Sequence, residues 1–181
     1  MEQAVVPSCV REQRMIQWIE NYSDDIKKIC FIYLTDRNQA EDAFQDTFLK
    51  AWKSMSAYER KAVDNDKAWL LRIAINTCRD YYRGGWFRNV DRSQDFDTVA
   101  ANLPASGWGN YKNLTDHELA MDICRLPEKY KQVILLYYYQ GMTFREVAST
   151  LGIPLSTMQR RLKKAESLLK IEGTGGKGDD R

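Results

Sequence analysis

Histidine is almost absent from this chain, and cysteine is sparse. There is one histidine, His117, and there are four cysteines, at positions 9, 30, 78 and 124. None of the cysteines stands at the close spacing of a structural zinc site. Glycine-rich phosphate loops are missing, as is any pairing of a nucleophile with a base. No metal, no cofactor and no covalent chemistry are therefore expected, and the chain is read as a non-enzyme. Long apolar runs are missing too. The segment "VILLYYY", 133–139, is only seven residues long and has polar flanks, whereas a membrane span needs about 20. No membrane insertion of its own is expected. The opening "MEQAVVPSCV" lacks the basic start and apolar core of a secretory leader. Cys30 and Cys78 fall on apolar helical faces and are expected to be buried thiols. Together these features point to the reducing cytoplasm.

What is present is enough apolar material to fold. The 181 residues are 44% hydrophobic and 29% charged. The small net charge of +2 is unevenly spread. Residues 1–83 carry 13 basic and 13 acidic side chains, residues 84–118 carry 3 and 5, and residues 119–181 carry 11 and 7. The surplus of +4 in the last third suits a partner that is a polyanion, although a solvated basic face would look the same.

Helical periodicity dominates. Met15, Trp18, Ile19 and Tyr22 recur at helical spacing, and Ile26, Ile29, Cys30 and Tyr33 continue after an expected break near Ser23. In "DRNQAEDAFQDTFLKAWKSM", Ala40, Ala43, Phe44, Thr47, Phe48, Ala51 and Trp52 form one broad stripe. A polar connection leads to "KAWLLRIAINTCRDYYR", which Asp64 or Asp66 is expected to cap. Its inner face is Leu70, Ile73, Ala74, Thr77 and Tyr81. Residues 84–113 lose all periodicity and hold Gly84, Gly85, Pro104, Gly107 and Gly109. A structureless stretch of that length is improbable inside one compact domain, so it is read as a flexible linker. Its aromatics, among them Trp86, Trp108 and Tyr111, either meet a partner surface or pack back on a domain. The expected architecture is all-α: two small helical domains, 1–83 and 114–172, a linker at 84–113 and a frayed tail at 173–181.

The C-terminal domain carries the most specific local signal. Pro127 marks a helix start and Gly141 its end. Thr143 and Glu146 form a capping box, followed by the apolar Phe144, Val147, Ala148 and Leu151. Gly152 and Pro154 then force a sharp turn. Ser156 and Gln159 make a second possible capping box. Met158, Leu162, Ala165 and Leu169 give the last helix its inner side and leave Thr157, Arg160, Arg161, Lys163 and Lys164 outside. Two helices, a tight turn and a basic second helix meet the expectations for a helix-turn-helix. Arginine, threonine and glutamine at the start of such a helix reach base edges, and lysines farther along hold phosphates. Gln159 either completes a cap or touches a base.

Taken in order, these segments resemble a bacterial RNA polymerase sigma factor of the extracytoplasmic-function (group 4) sigma-70 type. Three stretches carry the resemblance: "AEDAFQDTFLKAWKSM"; "KAWLLRIAINTCRDYYR", with its W-L-x-x-I-A-x-N-x-x-x-D-x-x-R pattern; and "LPEKYKQVILLYYYQGMTFREVASTLGIPLSTMQRRLKKAESLLK". The resemblance implies a dissociable subunit that binds core RNA polymerase and directs initiation at −10 and −35 promoter elements. It places Asp42, Gln45, Asp46, Phe48, Leu49 and Trp52 against the clamp coiled coil of the largest polymerase subunit. It makes Ser54 to Asp66 a base-capturing loop, with Tyr58 its most suggestive aromatic, and sets Lys67, Asn76, Arg79 and Arg83 near the opened −10 strand. It assigns −35 DNA to Arg145, Ser156, Thr157, Gln159, Arg160, Arg161, Lys163 and Lys164. An anti-sigma factor is implied as a further partner. The chain departs from the family at "LSTMQRRL", where Gln159 and Arg160 replace the usual lysine and serine, so a relative's promoter preference does not transfer.

Two other readings compete. A stand-alone helix-turn-helix regulator of duplex DNA accounts for residues 141–170 but leaves "EDAFQDTFLKAW" without a purpose. A helical adaptor, such as a regulatory partner of polymerase, would use the basic helix on an acidic protein.

Overall fold

The computed structural model describes residues 8–34, 36–59, 65–83 and 116–169, and every element among them is helical. The expected linker, 84–113, and tail, 173–181, lie outside the described residues, as do residues 60–64. Helix α1, Ser8–Leu34, runs unbroken through Ser23, which corrects the expected break. It contains neither glycine nor proline, and an interior serine costs only about 0.5 kcal/mol relative to alanine. The buried Trp18 on one side and Ile26 and Ile29 on the other hold it to the core across that position.

Helix α2, Arg37–Glu59, starts at Asp36, whose carboxylate accepts the Gln39 amide at 2.8 Å. The expected stripe holds at Ala40, Ala43, Thr47 and Ala51 and extends to Met55 and Tyr58. Phe44, Phe48 and Trp52 flank it, partly buried against the core. Helix α3, Asp66–Arg83, buries Leu70, Ala74 and Thr77 as expected, with Leu71, Ile75 and Cys78 beside them. Ile73 and Tyr81 are only half-buried. Neither expected residue is seen to cap α3. Asn65 holds that position, its Oδ1 accepting the Ala68 amide at 2.9 Å, and Asp64 lies outside the described residues.

Asp66 is instead turned inward and ties the three helices together. Its carboxylate accepts from Trp18 Nε1 at 2.7 Å, from the Tyr58 hydroxyl at 2.7 Å and from Arg14 Nη2 at 3.0 Å. Trp69 stacks on Tyr58 with 4.2 Å between ring centroids. Desolvation of Asp66 opposes its ionisation. The Trp18, Tyr58 and Arg14 donors and the Arg14 charge outweigh that, holding the carboxyl below its usual range.

The second unit contains α4, Asp116–Arg125, and α5, Glu128–Ile134, with Pro127 at the start of α5. The helix then widens into a π turn, Leu135–Tyr139, where the Gln140 amide donates to the Leu135 carbonyl at 3.1 Å. Gly141 ends it at φ 65°. Helices α6, Phe144–Leu151, and α7, Leu155–Leu168, complete the unit. Its core is built from Ile123, Val133, Ile134, Leu135, Leu136, Val147, Met158, Leu162 and Ala165. Cys30, Cys78 and Cys124 are buried, and Cys9 is exposed. Among the described residues, no helix is long and apolar enough to cross a membrane.

The folded-state pKa of Asp66 is lowered, so its carboxylate stabilises the fold fully above its unfolded pKa of about 3.9 and progressively less as pH falls through the folded value. Asp66→Asn is expected to cost about 1.5–3 kcal/mol at pH 7, the range for hydrogen bonds to a charged group. Urea titrations at several pH values check this: the gap to wild type should hold from pH 7 to about 5 and shrink below about 4. A gap unchanged down to pH 3 would show that the charge is not what matters.

Candidate polymerase and nucleic-acid interfaces

Helix α2 has two faces of different kinds. Opposite its buried stripe, Asp42, Gln45 and Leu49 stand exposed one turn apart. Leu49 is 55% exposed. The other three residues expected to dock are engaged within the fold. Asp46 accepts from the Tyr81 hydroxyl at 2.8 Å, and burial together with this carboxylate pushes the Tyr81 phenol up to about 12. Phe48 packs edge-on against Phe44. The Arg11 guanidinium covers Trp52, 4.8 Å from the ring centroid, and donates to the Trp52 carbonyl.

The expected −10 residues are scattered more widely. Residues 54–59 belong to helix α2 rather than to a loop. Tyr58 is 3% exposed and holds Asp66, so its ring is not presented as a free base-capturing surface. This corrects the placing of residues 54–59 in a loop: the buried stripe of α2 runs on from Ala51 through Met55 to Tyr58. Lys67 pairs with Asp25 at 2.9 Å. Arg79 is half-buried, its Nε enclosed without a partner. Arg83 is exposed at the end of α3. Asn76 lines a cleft of about 680 Å³ with Trp69 and Arg72 of α3 and with Arg145 and Ser149 of α6.

The helix pair is built as expected up to its turn. The Thr143 hydroxyl accepts the Glu146 amide at 3.3 Å, and the Glu146 carboxylate accepts the Thr143 amide at 2.8 Å. Gly152 sits at φ 64°, a left-handed conformation that costs a side-chain-bearing residue roughly 1–2 kcal/mol. The second capping box does not form. Helix α7 begins at Leu155, with Pro154 before it and no side-chain cap. Ser156 is therefore already helical and cannot act as an N-cap, whose backbone must be non-helical. Gln159 is left exposed, without capping work. Ser156, Gln159, Arg160, Lys163 and Lys164 are exposed, and Thr157 and Arg161 are half-buried. Arg145 lines the α3 cleft. On the inner side, buried Glu166 accepts from the Tyr138 hydroxyl, a pairing that the polar letter at 166 alone did not reveal.

Two helical units, one with an exposed row of residues on α2 and the other with an exposed basic helix after a tight turn, fit a helix-turn-helix protein of transcription. Comparison with known proteins makes this specific. Residues 18–88 match sigma-70 region 2 and residues 118–169 match sigma-70 region 4. The chain is 32% identical to the ECF RNA polymerase sigma factor SigL of Mycobacterium tuberculosis, over 75% of each protein. It is 24% identical to the ECF RNA polymerase sigma factor SigE of Mycolicibacterium smegmatis, over 93% of this chain and 63% of that protein. The sigma factor RpoE of Bartonella quintana, solved with the anti-sigma factor NepR, shares the fold at a TM-score of 0.64, with 21% identity over 89% of this chain and 99% of that one. The chain belongs to the extracytoplasmic-function (group 4) branch of the sigma-70 family. It is a dissociable specificity subunit that directs RNA polymerase to promoters, and it is not an enzyme.

Thr143→Ala should cost about 1 kcal/mol by removing a working N-cap. Gln159→Ala should stay within about 0.5 kcal/mol, as for an uninvolved surface position. Chemical denaturation of both variants decides. A loss at Gln159 as large as that at Thr143 would contradict the uncapped start of α7.

Proposed function

We propose that the α2 stripe docks on core polymerase, that the α3 face takes the opened −10 strand, and that α7 reads the −35 element as duplex. Exposed Leu49, with Gln45 one turn before it and Lys53 one turn after it, is the observation that carries the docking reading. An apolar side chain between exposed polar ones on a helix otherwise turned inward suits a protein partner. The partner is the clamp coiled coil of the largest subunit, as the family resemblance implies. Phe48, Trp52 and Asp46 contribute chiefly by keeping this stripe rigid.

At the −10 element, Asn76 is the polar group best placed for a base edge, with Lys67, Arg79 and Arg83 along the strand. Lys67 would leave Asp25 to meet a phosphate. At the −35 element, Arg160 and Gln159 lie near the amino end of α7, where a recognition helix enters the major groove. Ser156 and Thr157 begin that helix, and Arg161, Lys163 and Lys164 follow toward the backbone. Arg145 joins them from α6 once it leaves the α3 cleft. The structural likeness to a sigma factor held by an anti-sigma factor supports a similar regulator for this chain. All these partners are encountered in the cytoplasm.

Purified chain and core polymerase should yield promoter-specific transcription only when mixed. Site-specific DNA binding by the chain alone, with no core complex, would overturn this reading in favour of a stand-alone regulator. Leu49→Ala combined with Gln45→Ala should weaken core binding at least tenfold while leaving the thermal melt near wild type. Arg160→Ala should alter selectivity at one −35 position, costing about 1–3 kcal/mol there, whereas Lys164→Ala should weaken all sites evenly and lower the salt slope by about 1. Binding assays on a −35 point-mutant series separate the two patterns.

A further inference from the structure

A glutamate seldom sits in a core, because a carboxylate cut off from water is costly unless donors replace that water. Glu166 of α7 is 7% exposed. Its Oε1 accepts from the Tyr138 hydroxyl. Around it on the inner side of α7, Leu162, Ala165 and Leu169 are buried. An apolar residue at 166 would fill the same space without the desolvation cost. Filling alone therefore does not account for the carboxylate.

Tyr138 owes its position to the π turn. The Gln140 amide bonds the Leu135 carbonyl five residues back, where an α-helix would bond four back, so the turn holds one more residue. Tyr137 lies against Phe144 at the start of α6, with ring centroids 4.9 Å apart. Tyr138 stands edge-on to Tyr137 at 4.8 Å and reaches α7 through its hydroxyl. One turn of chain thus touches both helices of the pair.

The two kinds of contact act differently. Apolar packing is non-directional and lets α7 roll on its neighbours. A hydrogen bond weakens steeply once misaligned, so the Tyr138–Glu166 bond resists rolling. Glu166 stands seven residues beyond Gln159, about two turns, and so lies on the same side of α7. A roll fixed at 166 is fixed at 159 and at Arg160 beside it. Bidentate bonds to base edges need such a fixed direction. Lysines that hold phosphate as point charges do not.

We propose that Tyr138 and Glu166 are positioning residues for promoter selection: their buried bond sets the roll of α7 and so aims Gln159 and Arg160. The proposal rests on the reading that α7 reads the −35 element.

The test uses core polymerase joined to each variant of the full chain. Binding is measured on promoters with −35 point mutations and on an unrelated duplex. Glu166→Leu removes the bond but fills the space, so its thermal melt should lie at or above wild type. Its discrimination between the best −35 sequence and the point mutants should still fall about fivefold or more, the low end of what one bidentate base contact is worth. Affinity for the unrelated duplex should stay within about twofold, because phosphate contacts carry it. Tyr138→Phe should lose discrimination likewise, and the double variant should be no worse than either single change. Glu166→Gln keeps an oxygen for the Tyr138 hydroxyl and should discriminate nearly as wild type does. If Glu166→Leu fails to fold, Tyr138→Phe decides. A folded variant without the bond that discriminates as wild type overturns the proposal. So does an equal loss on every duplex, or a loss in Glu166→Gln as large as in Glu166→Leu. Gln159→Ala combined with Arg160→Ala tells the two failures apart. If that variant loses discrimination while those lacking the bond keep it, α7 reads the −35 element but the bond does not aim it. If it too discriminates normally, α7 does not read that element.

Discussion

The fold of the first unit depends on one carboxylate with donors from two other helices. Asp66 begins α3, yet it is held by Trp18 and Arg14 of α1 and by Tyr58 of α2. A half-buried anion is tolerable only where donors replace the water it loses. Here they come from elements far apart in sequence, so the charge is satisfied only when all three helices are in place. That requirement sets where α3 starts and how it rotates. The rotation in turn decides that Leu70, Ala74 and Thr77 point inward and that Arg72 and Asn76 face the cleft. Removal of the carboxylate would leave buried donors as well as a lost bond, which is the more damaging half of such a change.

The same packing sorts α2 into a face that builds the core and a face left to solvent. Small residues at 40, 43 and 51 bring α2 close to its neighbours, and the larger Phe44, Phe48 and Trp52 close the seams at the sides. Little apolar area is then left for the outside, which makes the exposure of Leu49 informative. A sigma factor must bind its polymerase and later leave it. A modest apolar spot in a polar frame suits that cycle better than a broad hydrophobic patch, which would favour a permanent complex.

Local periodicity made much of this architecture legible. The α2 stripe, the capping box at Thr143 and Glu146 and the left-handed Gly152 all follow from spacing and residue type, and all are present. The second capping box failed locally, because the helix starts a residue earlier than Ser156; the failures in the first unit turn on partners distant in the chain. Asp66 looked like a cap because caps are local, whereas its partners in the fold lie as far as 52 residues away. Tyr58 looked like a loop aromatic because the stripe it belongs to ends in polar letters. Lys131 and Gln132 are buried because α1 arrives beside them. Ser23 fell short of a helix break because tertiary contacts on both sides outweighed its weak propensity. The exposure of Asp42, Gln45 and Leu49 follows once the buried stripe has been assigned.

The start of α7 sharpens the chain's departure from its relatives. With Pro154 ahead of the helix and no side chain capping it, the first amides of α7 remain open donors. Ser156 and Gln159 are exposed and unoccupied by the helix they stand on. Gln159 and Arg160 stand one turn beyond these amides, on bonds that tilt back toward the helix start, where the positive end of the helix dipole favours phosphate nearby. A glutamine can bond both edges of an adenine, and an arginine both acceptors of a guanine. The lysine and serine that the family resemblance implies at these positions would supply a point charge and a small hydroxyl instead. The substitution thus exchanges weakly directional groups for two planar, bidentate ones without altering the turn that positions them. Selectivity can change in this way while the helix pair and its anchoring on Gly152 stay the same.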